Sequence, residues 1–577
     1  MGALRPFSLL MKKLRWQLLI VILALAAIAL ILLGQQPGVL PPDVRATPQP
    51  VAGGSYREGL IGSPSRLNPL LDFYNQPDRD VDRLLYSSLI RFDERGIPSA
   101  DLAESWGITQ DGKTYNFSLR QNARWHDGEP VTSLDVVFTI DLMRDPALPV
   151  PDDLRALWDE IEVEAVNDYL VQFRLPEPFA PFLDYLTFGI VPEHLLSSFT
   201  TEEIVDTSFN LQPVGSGPYR FSRFVVENEA IVGMELTAFE DYYLPRAFID
   251  QVNFRYYANS QTALDAFIAG DIDGISQITP DVLADALPET GLSIYTSRLP
   301  QLTLVFLNLD NPQKSFFQES EVRHALMHAL NRQRFVDQVL DGQAIVANGP
   351  IFPGTWAYLD ANEIPNYDVG AGIDLLKDTG YSIPAEGGSV RAKEGVFLRF
   401  TLIHPDDESH TQIAEWMQDS WAQIGVDVEL EALSYEELVN HLSARDYDTA
   451  LVDLNLARFP DPDPYPFWHQ AQITGGQNYA QWNDRIASEY LEQARITLDI
   501  EERARLYRNF QVRFARELPS LPLFYPVYTY AVSSNVQGVR VGPLFDPSDR
   551  LNHLAEWFLQ SQIGGTPQGE AGATELP

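Results

Sequence analysis

The spacing of apolar residues predicts a chain that alternates between strands and helices. Residues 114–119 place Tyr115, Phe117 and Leu119 at every second position, the period of a half-buried strand. Strands are also expected over 272–278, over the strongly apolar 302–309 and over the extended, aromatic 521–530. Helical spacing marks 80–89, 261–270, 321–330, 333–340, 435–442 and one long helix over 486–514. After the Asp127-Gly128 turn, Thr132 can cap a helix that carries Asp135 at its third position and Val136, Val137 and Ile140 on its apolar face. Residues 397–403, a helix over 411–424, Gly425 as its stop and residues 426–430 form a β-α-β unit, which predicts a parallel pair. No internal repeat is apparent.

One stretch, 447–479, is set apart by the rigid loop after its strand. Residues 449–457 are a mostly apolar run, too short for a typical helix, that reads as a buried strand. Pro460, Pro462 and Pro464 then alternate with Asp461 and Asp463, each proline removing a backbone donor and holding its predecessor extended. Tyr465, Phe467 and Trp468 place aromatic surface near these carboxylates and Arg458, at the carboxyl end of a strand, where open α/β sheets keep ligands. A proline-rich turn closed by a small aromatic core fits the same residues.

Length and charge narrow the class. At 577 residues the chain exceeds one core, and about 150 residues per domain gives roughly three or four units. A formal charge of −39 repels phosphate backbones and argues against a nucleic-acid partner. There is no cysteine, which excludes disulfides, thiolate metal sites, a cysteine nucleophile and a lipid-modified cysteine. Residues 18–33 are unbroken apolar sequence behind Lys12, Lys13 and Arg15, with Ala24 and Ala26 in mid-run instead of a small-residue cleavage site at its end. This predicts an uncleaved signal anchor over 1–34, near the roughly 20 residues a membrane span requires. Residues 35–54, rich in Pro, Gly and Ala, read as a tether, and 561–577 as a disordered tail.

Three patterns carry no chemistry in their context. Residues 107–114, GITQDGKT, satisfy the phosphate-loop expression but lead into a strand where that loop needs a helix, so a hairpin turn is expected. His324 and His328 lie one helical turn apart without a third ligand, and Asp271 with Asp273 lacks the rest of a calcium loop. No metal and no cofactor is predicted.

The run from Ala103 through Asp111, Thr114, Tyr115, Phe117, Leu119 and Arg120 to Trp125-His126-Asp127-Gly128 and on to Asp135-Val136-Val137-Phe138 resembles a recurrent signature of the extracytoplasmic solute-binding proteins of ABC importers, the peptide and nickel group. Gly215 to Tyr219, Ala269 to Asp273, Val322 to Leu326 and Pro460-Asp461-Pro462 are similar landmarks in the same order, and the resemblance covers about 57–558. It implies an α/β, two-lobed fold of the periplasmic-binding-protein type. Lobe I would be 55–299 with 521–560 and a subsidiary domain near 92–210; lobe II would be 300–520. Crossings near 299–303 and 521–525 would form the hinge.

Peptide-binding relatives hold the ligand backbone as an added strand between the lobes. By position, Tyr74, Asn75 and Gln76 would form one wall of the cleft and Leu454, Asn455 and Leu456 the other. Where peptide binders carry an Asp for the ligand's ammonium, this chain has Arg458, which cannot accept that bond. The anchor would move to Asp453, Asp461 or Asp463, or else the ligand offers a carboxylate or sugar hydroxyls to Arg458, Trp356 and Trp468. Pairing of Arg458 with Asp461 or Asp463 outside the cleft is the structural alternative.

The expected function is therefore a monomeric, membrane-anchored receptor on the outer face of the cell membrane, not an enzyme, that delivers peptides to an ABC permease. Oligosaccharide and chelated nickel are the alternative ligands. A surface hydrolase, without G-x-S-x-G or H-E-x-x-H but with acidic residues to spare, and a sensory ectodomain are the alternative functions.

Overall fold

One strand, Ser520–Ser533, is hydrogen bonded into both halves of the molecule. The computed structural model describes residues 50–360, 364–455 and 460–560. In the first half of the strand, antiparallel pairing runs to Gln301–Leu307 and Ala344–Val346; in the second, to Leu292–Arg298 and Gly274–Ile275. A central strand has little room for proline, and both prolines here sit where the ladder is interrupted. Pro522 lies beside a register shift, and Pro526 stands where the partner strand changes.

The cores separate on either side of that point. Leu302, Phe306, Leu521 and Tyr525 belong to one, and Tyr56, Tyr528, Tyr530 and Trp557 to the other. Leu299 packs with the latter. Residues 521–525 belong to the lobe II core, so lobe I resumes at Pro526 and Val527.

In lobe II the sheet order is Asp427–Leu433, Arg399–Pro405, Thr449–Asn455, Gln301–Leu307, then the shared strand. The first pair is parallel through the helix Glu408–Ala422, which stops before Gly425 at φ +83. In lobe I, Ser55–Ile61 pairs in parallel with Gln251–Tyr257, followed by Ala230–Ala238 and Tyr219–Glu227. A separate four-stranded antiparallel sheet spans 103–174. Its first two strands, Ala103–Ile108 and Thr114–Leu119, turn tightly through GITQDGKT, where the Gly112 amide donates to the Thr109 carbonyl at 2.8 Å and Lys113 to that of Pro176.

Several boundaries move for local reasons. The helix expected at 80–89 is Gln76–Leu85, with Pro77 in its first turn. The strand expected at 272–278 shrinks to Gly274–Ile275. The long helix is two, Arg485–Ile496 and Ile500–Glu517, because Asp499 caps the second by accepting from the Glu502 amide at 2.9 Å. Gly53 already donates to the Phe248 carbonyl, so the folded body begins inside the range read as tether. The expected anchor at 1–34, most of the tether and the tail at 561–577 lie outside the described residues. Among those described, no helix is long and apolar enough to cross a membrane.

Lobe I is tied to its returning segment by a buried ion cluster. Arg550 donates to Glu58 at 2.6 Å and to both oxygens of Asp80 at 2.8 Å, while the hydroxyls of Tyr56 and Tyr530 donate to Glu58 at 2.8 Å. Removing one member strands the others as uncompensated buried charge. Arg550→Leu is therefore expected to lower stability by about 3–5 kcal/mol, read as a drop in the urea midpoint; a loss under about 1 kcal/mol would mean that Glu58 and Asp80 find other partners.

Candidate functional site

The two lobes meet along a seam built from short loops. The Trp356 amide of lobe II donates to the Arg95 carbonyl of lobe I at 3.2 Å. Gly96, at φ +78, passes so close to Pro460 that a Cβ there would meet its carbonyl oxygen at 2.9 Å. The Asp461 amide donates to Asp184 at 2.8 Å, and the Arg495 guanidinium stands 5.5 Å from the Phe179 ring. The proline-stiffened corner thus faces the other lobe across the seam.

Beside that corner opens a cavity of about 1310 Å³. Most of its wall is lobe I: the helix Gln76–Leu85 with Arg79, Asp82 and Arg83, the hairpin with Phe92 and Arg95, the turn with Asp184 and Tyr185, and the returning segment with Phe545. Lobe II contributes Pro460, Gln472 and Arg495. Among the described residues, ten carboxylates line it against five arginines. Four of those arginines hold a carboxylate near 3 Å: Arg79 with Asp546, Arg83 with Asp549, Arg91 with Asp101 and Arg495 with Asp463. The surplus leaves a negative field suited to a cationic group.

At the seam, Asp461 pairs with Arg503 at 2.6 Å, and Arg503 lies 5.0 Å from the Trp356 ring. Burial first, and the neighbouring Asp461 charge second, push Asp184 well above the ordinary carboxylate range. Further along the lobe II sheet, the carboxyl ends of Arg399–Pro405 and Thr449–Asn455 flank a topological switch point: the chain leaves the first strand outward to Asp427–Leu433 and returns to its other side. His410 sits in that crevice, 2.6 Å from Asp407 and 3.3 Å from Asp453. Burial alone would lower its pKa, but the two carboxylates outweigh burial and raise it.

Of the described residues expected to line the cleft, none lies in the cavity wall itself, although Phe73 and Pro460 beside them do. Tyr74 is 80% exposed. The Asn75 amide reaches Ser65 at 3.2 Å, and Gln76 is engaged by Arg79, Asp80 and Asp546. Leu454 is buried beside Leu302 in the sheet, and Asn455 is exposed at the strand's end. Trp468 is 1% exposed, wedged between Phe306 and Phe514 in the lobe II core, so it is packing and not cleft surface. Leu456 and Arg458 lie outside the described residues. Asp461 and Asp463 have other arginines as partners.

The middle-region model of the bacterial extracellular solute-binding proteins, family 5, matches residues 98–475. The chain belongs to this family. Among curated relatives of this solute-binding protein, the oligopeptide-binding protein AppA of Bacillus subtilis (strain 168) is 27% identical over 526 residues, covering 89% of this chain and 92% of the relative. The dipeptide-binding protein of Escherichia coli (strain K12) is 25% identical, covering 84% and 91%. Among solved structures, AppA from Bacillus subtilis in complex with a nonapeptide matches with a TM-score of 0.65 at 26% identity, covering 89% of this chain and 100% of that one. NikZ from Campylobacter jejuni in complex with Ni(L-His) matches at 0.66 and 25%, covering 87% and 99%. These folds are two-lobed binding proteins, as the resemblance implied. Among the described residues, no group of His, Cys, Asp or Glu could hold a metal ion; His324 and His328 contact the carbonyls of Ala515 and Asn366.

Two substitutions probe this geometry. Asp461→Ala strips Arg503 of its counter-ion and is expected to cost about 3–5 kcal/mol, whereas Asp184→Asn leaves the Asp461 amide an acceptor and stays within about 1 kcal/mol; paired urea titrations read the contrast. For His410, a raised folded pKa means that its contribution is complete below the unfolded value of about 6.5 and is lost as pH rises through the folded value. His410→Asn should flatten the fall in stability above about pH 6.5, as read from melting midpoints across that range.

Proposed function

We propose that this chain is the ligand-capturing receptor of an ABC importer, and that it takes peptides at the lobe seam and passes them to the permease. The observation that carries the reading is the cavity at a seam between two bodies that share a single strand. Two bodies so joined can part and close about the shared strand, and a ligand that bridges them favours the closed form. For peptide in particular, Thr449–Asn455 is paired along its whole length to Gln301–Leu307 but on its other side only at Thr449 and Ala450. Among the described residues that second edge has no strand pairing from Leu451 to Leu454, the arrangement that strand addition uses. The relatives named for oligopeptides and dipeptides agree in kind.

The basic-then-apolar run at the amino end supports attachment to the outer face of the membrane as an uncleaved anchor. The receptor acts as a monomer, without chemistry on its cargo.

Mass spectrometry of solute released from the freshly purified full chain tests this. About one equivalent of intact peptide is expected; released sugar or chelated metal, or peptide cleaved on incubation, would contradict the reading. Gly96→Val should prop the seam open at Pro460 and weaken peptide affinity through the smaller closed population. Equal affinity in the two proteins would place the ligand away from the seam.

A further inference from the structure

We propose that Asp82, on the lobe I helix Gln76–Leu85, is the acceptor for a cationic nitrogen of the solute, a role that the carboxylates of the lobe II corner do not fill. The inference rests on the proposal that the solute is a peptide held at the seam.

Each carboxylate near the corner is already engaged. Asp453 accepts from Thr303 and faces His410, Asp461 holds Arg503, and Asp463 holds Arg495 at 2.7 Å. Asp82 is in the opposite condition. It is 4% exposed, it lines the cavity, and neither of its oxygens has a hydrogen-bond partner among the described residues. Its helix carries two arginines, but Arg79 is turned to Asp546 at 3.0 Å and Arg83 to Asp549 at 3.1 Å. Neighbouring Asp78 is satisfied by Ser65 and by the Arg66 amide.

A carboxylate buried without a partner costs folding free energy, and a ligand that brings donors to it offsets that cost. Burial first, and the charges of Asp72 and Asp78 after it, raise its pKa, a shift that an ammonium beside it would oppose. An ammonium brings three donors to two unmatched acceptor oxygens, and the surplus negative charge of the wall favours its entry. The nitrogen can come from a peptide's amino terminus or from a lysine side chain.

Calorimetry with the full chain in detergent separates these. The probes are polyalanine peptides of graded length, the same peptides acetylated at the amino end, and acetylated peptides with one lysine. The wild type should bind the free or lysine-bearing series about tenfold to a hundredfold more tightly than the acetylated series, and Asp82→Asn should abolish that difference while leaving the acetylated series unchanged. Tighter binding of the lysine series alone would assign the nitrogen to the side chain, and of the free series alone to the terminus. A preference that persists in Asp82→Asn, or no preference in the wild type, would overturn the assignment while leaving the peptide reading intact. No binding of any series would overturn both. The ligand-free Asp82→Asn protein should melt no lower than wild type, since it loses only an unpartnered group. A lower midpoint would show that Asp82 serves the fold and would also refute the assignment.

Discussion

The pairing of Ser520–Ser533 with strands of both halves constrains everything else in this molecule. Because each half keeps its own core up to Tyr525 on one side and from Tyr528 on the other, the strand joins two bodies without merging them. Pro526 lies between these residues and cannot donate to either ladder. Bending there costs fewer backbone hydrogen bonds than bending elsewhere along the strand. Arg298, paired opposite Val527, is buried between the rings of Phe352 and Phe545, one from each side of the seam, and burial lowers its pKa to about 10. The junction is thus held by soft ring contacts instead of a fixed ion pair.

The cavity is a consequence of that joint. Two bodies joined by one strand and meeting largely along loops leave space where the loops cannot fill it, and among the described residues the space is lined mostly by lobe I and capped by Pro460, Gln472 and Arg495 of lobe II. The division of charge matters as well. Arginines on the wall are turned into their own lobe by Asp546, Asp549 and Asp101. Elsewhere in lobe I, the buried Arg550 is matched by Glu58 and Asp80. The same helix carries both a satisfied carboxylate, Asp80, and an unpartnered one, Asp82, and the proposed role of Asp82 rests on that contrast.

Much of the fold was legible because local signals agreed with the tertiary outcome. Thr132 and Asp135 form the capping box their spacing suggested, the β-α-β unit ending in Asp427–Leu433 is parallel, and the phosphate-loop lookalike is a hairpin turn. The family signature identified the family whose model matches residues 98–475. The features that escaped notice did so for specific causes. Asp499 and Glu502 carried the capping signal that divides the long helix, but the apolar period runs across the break and hid it. Trp468 has the same composition in a cleft as in a core, and only its contacts with Phe306 and Phe514 decide between them. Asp82 has no local mark at all, since its isolation arises from where Arg79 and Arg83 turn, toward residues more than 450 positions away in the chain.

Function on this reading requires the two lobes to close about the shared strand on a bound solute. The chain has no cysteine, so spin labels can be placed at will, for instance at exposed Glu104→Cys in lobe I and exposed Glu429→Cys in lobe II. Pulsed electron–electron resonance between them, recorded without ligand and at saturating copurified solute, reads the interlobe distance. Closure predicts a broad or longer distribution that becomes shorter and narrower on binding. A distribution unchanged at saturation would rule closure out.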